Sequence, residues 1–592
     1  MLRLKLIIAT LFALFLVEVA IAESNLNQIV VTPSKRPTTI FNSLNSIEVV
    51  TQDDIKKYGY RTIDEILNLS SSISIGSNGG LGQTKSIFLR GTESNHTKVL
   101  LNGVELNPGT LGVPSIQHIS VEMINRIEIA KGGMSTLYGR DSIGGVINII
   151  TKQHDEKLAN ELMMSSGSFN TNKINFFKTF SKNFHNFSIN YSNTWSNSFK
   201  AKVTSTKNHT YNNENLNLNY GYSLNNSRFE VNYYQSDGNT EYDSSGSNLS
   251  QDHKDSHIKT SWMIENKDSI TKVIFIDKQN KIDQAAISAT DFTHTKVNQF
   301  SIEKNYFDLL DTNSIFGFTY TDEALYEASY GTAFRTSHDT KEIFFHSEYL
   351  PTPEANINFG SRYINHPRYG YYLVGDINVG YLVKKNLYVT AGIGKSFRPP
   401  DGTDLLGYGG NQNLKPEKSI SSEISLKYQL SNNNHFIISL FNNNINNLIE
   451  SDGSIMQNIN KARITGMDLS YNNTYKAIDF LFNYTYQEAD DVTNDTSLSR
   501  RPRNKITGKL SHSLSSSDKI SFTMIGESKR DNSIYDYHRL GGYLLFNVNY
   551  LHEFDNYRIS IKANNILNKS YQKAHDYNIE RATIYISLTT NL

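Results

Sequence analysis

The chain has 592 residues, no cysteine, and 58 basic residues matched by 58 acidic ones. The missing cysteines exclude a disulfide framework, thiolate chemistry and zinc–thiolate sites. The charge balance leaves no basic field that would draw the chain to nucleic acid. Tyrosine and phenylalanine are abundant (35 and 30) and proline is rare (11), which argues against reading the length as a string of ordinary soluble domains.

The first 22 residues read as a secretory signal. Arg3 and Lys5 form a charged start, Leu6 to Val17 is apolar apart from small residues and Thr10, and Ala20-Ile21-Ala22 is a cleavage site before Glu23. No later run approaches the roughly 18–20 apolar residues of a spanning helix. The exported chain therefore either stays soluble or crosses a membrane as strands.

Residues 23–152 mix short strands with helical signals and predict a small α/β domain. Thr51-Gln52-Asp53-Asp54 reads as an N-cap and first turn, followed by Ile55 and Tyr58, then Ile63, Ile66 and Leu67, giving two helices with Asp or Thr starts. Gly144-Gly145 reads as a tight turn. The glycines at 79, 80 and 82 lack the Lys-Ser/Thr pair of a phosphate loop. Arg90, Arg126, Glu128 and Lys131 are either a charged contact to a neighbouring wall or solvated surface.

Residues 153–592 alternate with a period of two. Phe187, Ile189 and Tyr191 interleave with Ser188, Asn190 and Ser192, and Ile424, Leu426, Tyr428 and Leu430 with Glu423, Ser425, Lys427 and Gln429. Each such segment is a strand with one apolar and one polar face. Clusters such as Asn442 to Asn447 read as turns. A soluble sandwich alternates too, but this pattern runs to the C-terminus with aromatics near strand ends, as a lipid-facing barrel requires. At roughly 20 residues per strand and connection the length yields about 22 antiparallel strands, and barrels of that size are plugged transporters. Ile584, Ile586, Leu588 and Leu592 form the last strand, which ends without the usual aromatic residue. No G-x-S-x-G elbow, zinc motif or other catalytic constellation is present, so no catalytic residues are expected.

Six fragments in order carry a resemblance: Gln28-Ile29-Val30-Val31-Thr32-Pro33; Ser86-Ile87-Phe88-Leu89-Arg90-Gly91; Val99-Leu100-Leu101-Asn102-Gly103-Val104; Arg126 to Gly132; Tyr138-Gly139; and Gly144 to Ile150. Together the region resembles the plug of TonB-dependent outer-membrane receptors. The resemblance implies an all-β transmembrane barrel with an α/β plug in its lumen, in the outer membrane of a Gram-negative bacterium. It makes Gln28–Pro33 the TonB box, an extended segment that adds as a strand to the partner TonB. One departure is Gly133, where the family usually has proline.

Within the family the chain looks most like the cobalamin (vitamin B12) receptors. The likeness rests on Asn78 to Thr84 and Thr92 to His96 in the plug, and on Ser396 to Pro400 with Asn411 to Ser419 in the barrel. Asn460 to Gly466, Arg500-Arg501 and Asn564 to Tyr571 add to it. It implies ligand contacts at Asn78, Gln83 and Asn107, and possible calcium ligands at Glu214, Asp237 and Asp243, whose hard oxygens suit that ion. Asn212-Asn213-Glu214 lacks one carboxylate of the subgroup's pattern, and the acidic loop reads equally as solvated. Asp252 to His257 could also hold a metal. A siderophore or haem receptor is the alternative, although Pro400 to Gln412 holds no histidine where the haem receptors usually place a haem-ligating one.

Overall fold

A computed structural model describes residues 28–153, 160–244, 247–285, 290–431, 433–451, 453–533 and 538–592. The expected signal at residues 1–22 lies outside the described residues. Twenty-two antiparallel strands, from Glu161–Gly167 to Thr583–Asn591, close into one barrel. The two-residue strand Thr496–Ser497 adds only to the end of Ile478–Asp491.

The wall inverts the soluble pattern. On Glu417–Ser431, Ser425 is 1% exposed while Ile424 is 58% exposed. On His185–Ser196, Ser188, Asn190 and Ser192 are buried inside. The strand Gly370–Lys384 turns Tyr371, Leu373, Ile377, Val379 and Tyr381 outward, with an aromatic at each end and aliphatics between. That is the profile of an apolar band between aromatic girdles.

Strand connections at one end are short, such as those after Lys182, Leu224 and Asn266; the other end carries long segments at 197–210, 399–416 and 565–582. Short turns face the periplasm in such barrels and long loops face outward, which defines an inner and an outer end.

The lumen holds the N-terminal domain. Its five-stranded sheet runs, in order, Ile47–Thr51, Ile124–Lys131, Gly145–Thr151, Thr97–Leu101 and Val104–Glu105. The Thr97–Leu101 and Gly145–Thr151 pair is parallel, and the rest are antiparallel. Two helices pack on it, Gln52–Tyr58 and Ile63–Asn68. The expected starts are where the caps form: Thr51 and Asp54 make a reciprocal capping box, and the Thr62 hydroxyl accepts from the Glu65 N–H. Ile66, Leu67, Ile127 and Ile147 anchor the plug's own apolar core.

The wall grips this plug largely through polar side chains. Lys427 donates to the Ile40 carbonyl at 2.9 Å, Lys505 to that of Ser70 at 3.2 Å, and Arg362 to those of Thr136 and Leu137 at 2.9 and 2.8 Å. Of the four plug charges singled out above, Arg90 pairs with the wall, with Glu423 and with Asp468 at 3.2 Å. Lys131 turns to Ser71 and Glu48, and Arg126 to Glu128, all within the plug. Gly133 has a local reason. Its N–H donates to Ser421 Oγ at 3.3 Å, and a Cβ there would come within 2.8 Å of that oxygen. A proline would lose the donor and add the clash.

Candidate functional site

Three places on the plug face the two ends of the barrel. The hairpin Ile73–Ser77 with Lys85–Leu89 lifts its tip, residues 78–84, against the outer loops. Gly82 has φ +75°, and a Cβ there would come within 2.3 Å of the Tyr211 ring, so glycine is required by both conformation and contact. The Asn78 N–H closes the tip onto the Thr84 carbonyl at 3.2 Å. Gln83 is buried, and its amide donates to the Glu241 carbonyl at 2.7 Å.

Asn107 sits at the outward cavity with its side chain held by the plug. Its Oδ1 accepts from the Val99 N–H at 2.9 Å, and its Nδ2 donates to the carbonyls of Thr97 and Gly112 at 3.1 and 2.9 Å. Both amide donors are spent on the plug's own backbone. Asn107 therefore shapes the loop beneath an outward cavity of about 310 Å³, which also touches Leu325, His338 and His366.

The two halves of the barrel motif meet. Arg398 is buried and donates to Asp401 and Asp404 at 2.9 Å each and to Glu417 Oε2 at 2.8 Å. His96 Nε2 lies 2.9 Å from the same Glu417 oxygen, so the motif ties the outer segment 399–416 to the plug. Nothing in the local sequence signals that tie, because its members are brought together only by the closed wall.

The acids expected to hold calcium do not gather. Glu214 and Asp237 face one another across neighbouring strands, where Asn193 donates to Glu214 at 2.9 Å and Lys254 sits 3.5 Å from Asp237. Both lie on the outward-facing side of the wall. Asp243 is buried six positions farther along the strand, about 20 Å at the usual rise, and accepts from Ser205 at 2.8 Å. Among the described residues no group of three or more His, Cys, Asp or Glu could hold a metal ion. The Asp252–His257 stretch is likewise spent elsewhere. His253 stacks on His118 of the plug with ring centres 3.5 Å apart, and His257 meets Asn232 at 3.2 Å. Burial and the neighbouring His253 hold the His118 imidazole well below the usual histidine range.

At the inner end, Gln28–Pro33 lies against the plug. Ile29–Val30 pairs with Thr38–Thr39 over two residues only. The N–H groups of Val31 and Thr32 donate to one Glu128 oxygen at 3.0 and 2.8 Å, and Tyr138 donates to the Thr32 carbonyl at 2.8 Å. Lys35 then pairs with Glu303 of the wall, beside an inner cavity of about 710 Å³.

Comparison with known proteins agrees with this architecture. Residues 159–566 match the family model "TonB dependent receptor-like, beta-barrel", and residues 39–146 match "TonB-dependent Receptor Plug Domain". A vitamin B12 transporter BtuB from Photobacterium profundum is 25% identical, with 96% of each chain covered. One from Vibrio vulnificus is 23% identical over 92% of each. Among solved structures, the siderophore receptor PirA from Acinetobacter baumannii superposes with a TM-score of 0.81 at 14% identity, covering 92% of this chain and 98% of that one. A ferric enterobactin receptor from Pseudomonas aeruginosa gives 0.83 at 16%, covering 93% and 99%.

Proposed function

The chain belongs to the TonB-dependent receptor family, and from that premise we propose that its cargo is cobalamin or a related corrinoid. Membership makes it a transporter across the outer membrane, not an enzyme, working with TonB on a large solute. The observation that carries the cargo reading is that BtuB relatives align over 92–96% of both chains. The outward cavity, about 310 Å³, is at the lower end of ligand pockets. Seating a corrinoid there requires the loops above to part, and Asn107, Pro108 and Gly109 are then the plug residues nearest the bound solute, with Asn78 and Gln83 offering contacts from the separate plug tip.

In this reading Gln28–Pro33 is the TonB box. Its support is its place at the inner end and the shortness of its ladder, two residues, although Val30 and Thr32 are buried and Glu128, Tyr138 and Asn148 also bond to it. A partner strand that adds to this segment offers ladder bonds to the backbone groups on one of its edges. Binding alone cannot accumulate solute, so work delivered through this segment is what moves the plug. Val30→Pro removes a ladder donor; the expected outcome is intact surface binding with uptake abolished, and unchanged uptake would refute the assignment.

The cargo is tested by equilibrium binding of labelled cyanocobalamin to the purified receptor in detergent, with calcium and with a chelator. Saturable submicromolar binding is expected. Because Asp243 stands six positions along the strand from the facing pair Glu214 and Asp237, equal binding in both conditions is expected; loss with chelator would show that calcium gathers them. No binding in either condition would refute the cobalamin reading and favour a siderophore or haem.

A further inference from the structure

The outward cavity beside Asn107 and the inner cavity beside Lys35 lie along the same wall of the barrel, one above the other. Both are lined by Glu105 and Arg140 of the plug. The strand Thr312–Ser329 shows how they stack. Its lumen-facing residues run Thr319, Thr321, Glu323 and Leu325; the first two line the inner cavity and Leu325 lines the outer one. Glu323 stands between them, buried.

What separates the two chambers is a layer of side chains, not the plug's apolar core. Arg140 donates to Glu323 at 2.7 Å and Lys98 to Glu105 at 2.9 Å. Lys278 of the wall donates to the carbonyls of Glu105 and Asn107 at 2.9 and 3.0 Å. Gly109 closes the remaining space, since a Cβ there would come within 2.2 Å of a Glu323 oxygen. Despite burial, Lys98 and Arg140 hold the Glu105 carboxyl below the usual carboxylate range, so this is a layer of opposed charges. Ions buried in pairs recover hydration when water enters between them, whereas parting an apolar core exposes surface with no such return.

The opposite wall differs. Its inner cavity, about 640 Å³ beside Ser439 and Lys509, meets at Lys131 a void of only about 40 Å³ packed around Arg90 and Glu423.

We propose that solute passes the plug along the wall formed by Thr290–Leu309, Thr312–Ser329, Thr332–Thr352 and Ala355–His366, through a gate made of Glu105, Arg140 and Glu323, while the plug stays in the barrel. The gate opens when Arg140 leaves Glu323, joining the outer and inner chambers into one polar passage. This holds whichever solute is carried.

The test is ion conductance of the full-length receptor in planar lipid bilayers in potassium chloride, which needs no knowledge of the cargo. Wild type is expected to be closed. The double variant Arg140→Ala with Glu323→Ala is expected to conduct at least tenfold more, and Arg90→Ala with Glu423→Ala on the opposite wall is expected to stay closed. Heat-modifiable gel migration verifies the barrel in each; if the alanine pair fails to fold, Arg140→Gln with Glu323→Gln repeats the measurement with little change of volume. The cysteine-free chain permits a second readout. In the conducting variant, Leu325→Cys and Thr321→Cys should each lose current on adding a charged methanethiosulfonate, and Ser439→Cys should not. A gate variant as closed as wild type, equal conduction through the opposite-wall variant, or current indifferent to modification at both lining positions would each overturn the proposal.

Discussion

In the plug, Ile66, Leu67, Ile127 and Ile147 lie inside, and the charged residues Arg90 and Arg140 reach out to partners on the wall. In the barrel the arrangement turns over: Ser188, Asn190, Ser425 and Lys427 lie inside, and Ile424, Leu373 and Tyr371 face out. The two regions are therefore stable for different reasons. The plug is a small globular unit held by apolar burial. The wall is held by a closed hydrogen-bond ladder that leaves no unpaired edge. Between them lies a third kind of surface, in which lysines and arginines of the wall cap plug carbonyls, and such bonds can be exchanged for water at modest net cost. One region can shift against the other without either unfolding.

That contrast can be broken most severely at the plug core. Ile127→Asp buries an unpaired charge and should destabilise the plug by about 4 kcal/mol or more. Protease should then cut the plug while the barrel keeps its heat-modifiable migration; joint loss of both would mean the regions are one cooperative unit. Next comes the seam. Arg90→Ala strands Glu423 without its paired cation, costing about 3 kcal/mol of plug seating. Urea should expose the plug to protease at lower concentration, with barrel unfolding unmoved. On the lipid face, Ile424→Asp should cost about 2 kcal/mol or less, read as an earlier barrel transition with plug protease resistance unchanged at low urea. Smallest is Gly133→Pro, which forfeits one hydrogen bond to Ser421, about 1 kcal/mol. A shift as large as that of Arg90→Ala would show that the Cβ clash with Ser396 and Ser421, not the lost donor, governs that turn.

What the sequence disclosed follows from how local each signal is. The cap at Thr51 and the alternation on His185–Ser196 depend on neighbours a few residues away, and the structure has them as read. The strand number followed from length, because strand and connection have a narrow combined size. Partnerships across the lumen had no such signal. Arg90, Arg126, Glu128 and Lys131 look alike in sequence, yet Arg90 pairs with wall carboxylates while Arg126 pairs with Glu128 and Lys131 with Glu48 inside the plug. Asn107 and Gln83 are both amides on plug loops, but one is consumed by its own backbone and the other lies under a strand end. The acids at 237 and 243 kept a family spacing, but six positions along an extended strand set them too far apart to share an ion. Arg140 and Glu323 are separated by 183 positions, and only closure of the wall brings them together.

Closure itself sets an order of events. Glu161–Gly167 pairs with Thr583–Asn591, in register from Glu161 opposite Asn591 to Gly167 opposite Tyr585. The seam of the wall is thus made from the beginning and the end of the barrel's chain, and it cannot be completed until the last strand has been delivered. No cysteine is available to hold an unfinished ring together meanwhile. A chain cut short by one strand would lack one side of the seam, and its first strand would be left as an open edge in the membrane, a state a bilayer does not tolerate. Assembly is therefore all or nothing, and the final nine residues of the ladder, Thr583–Asn591, decide it.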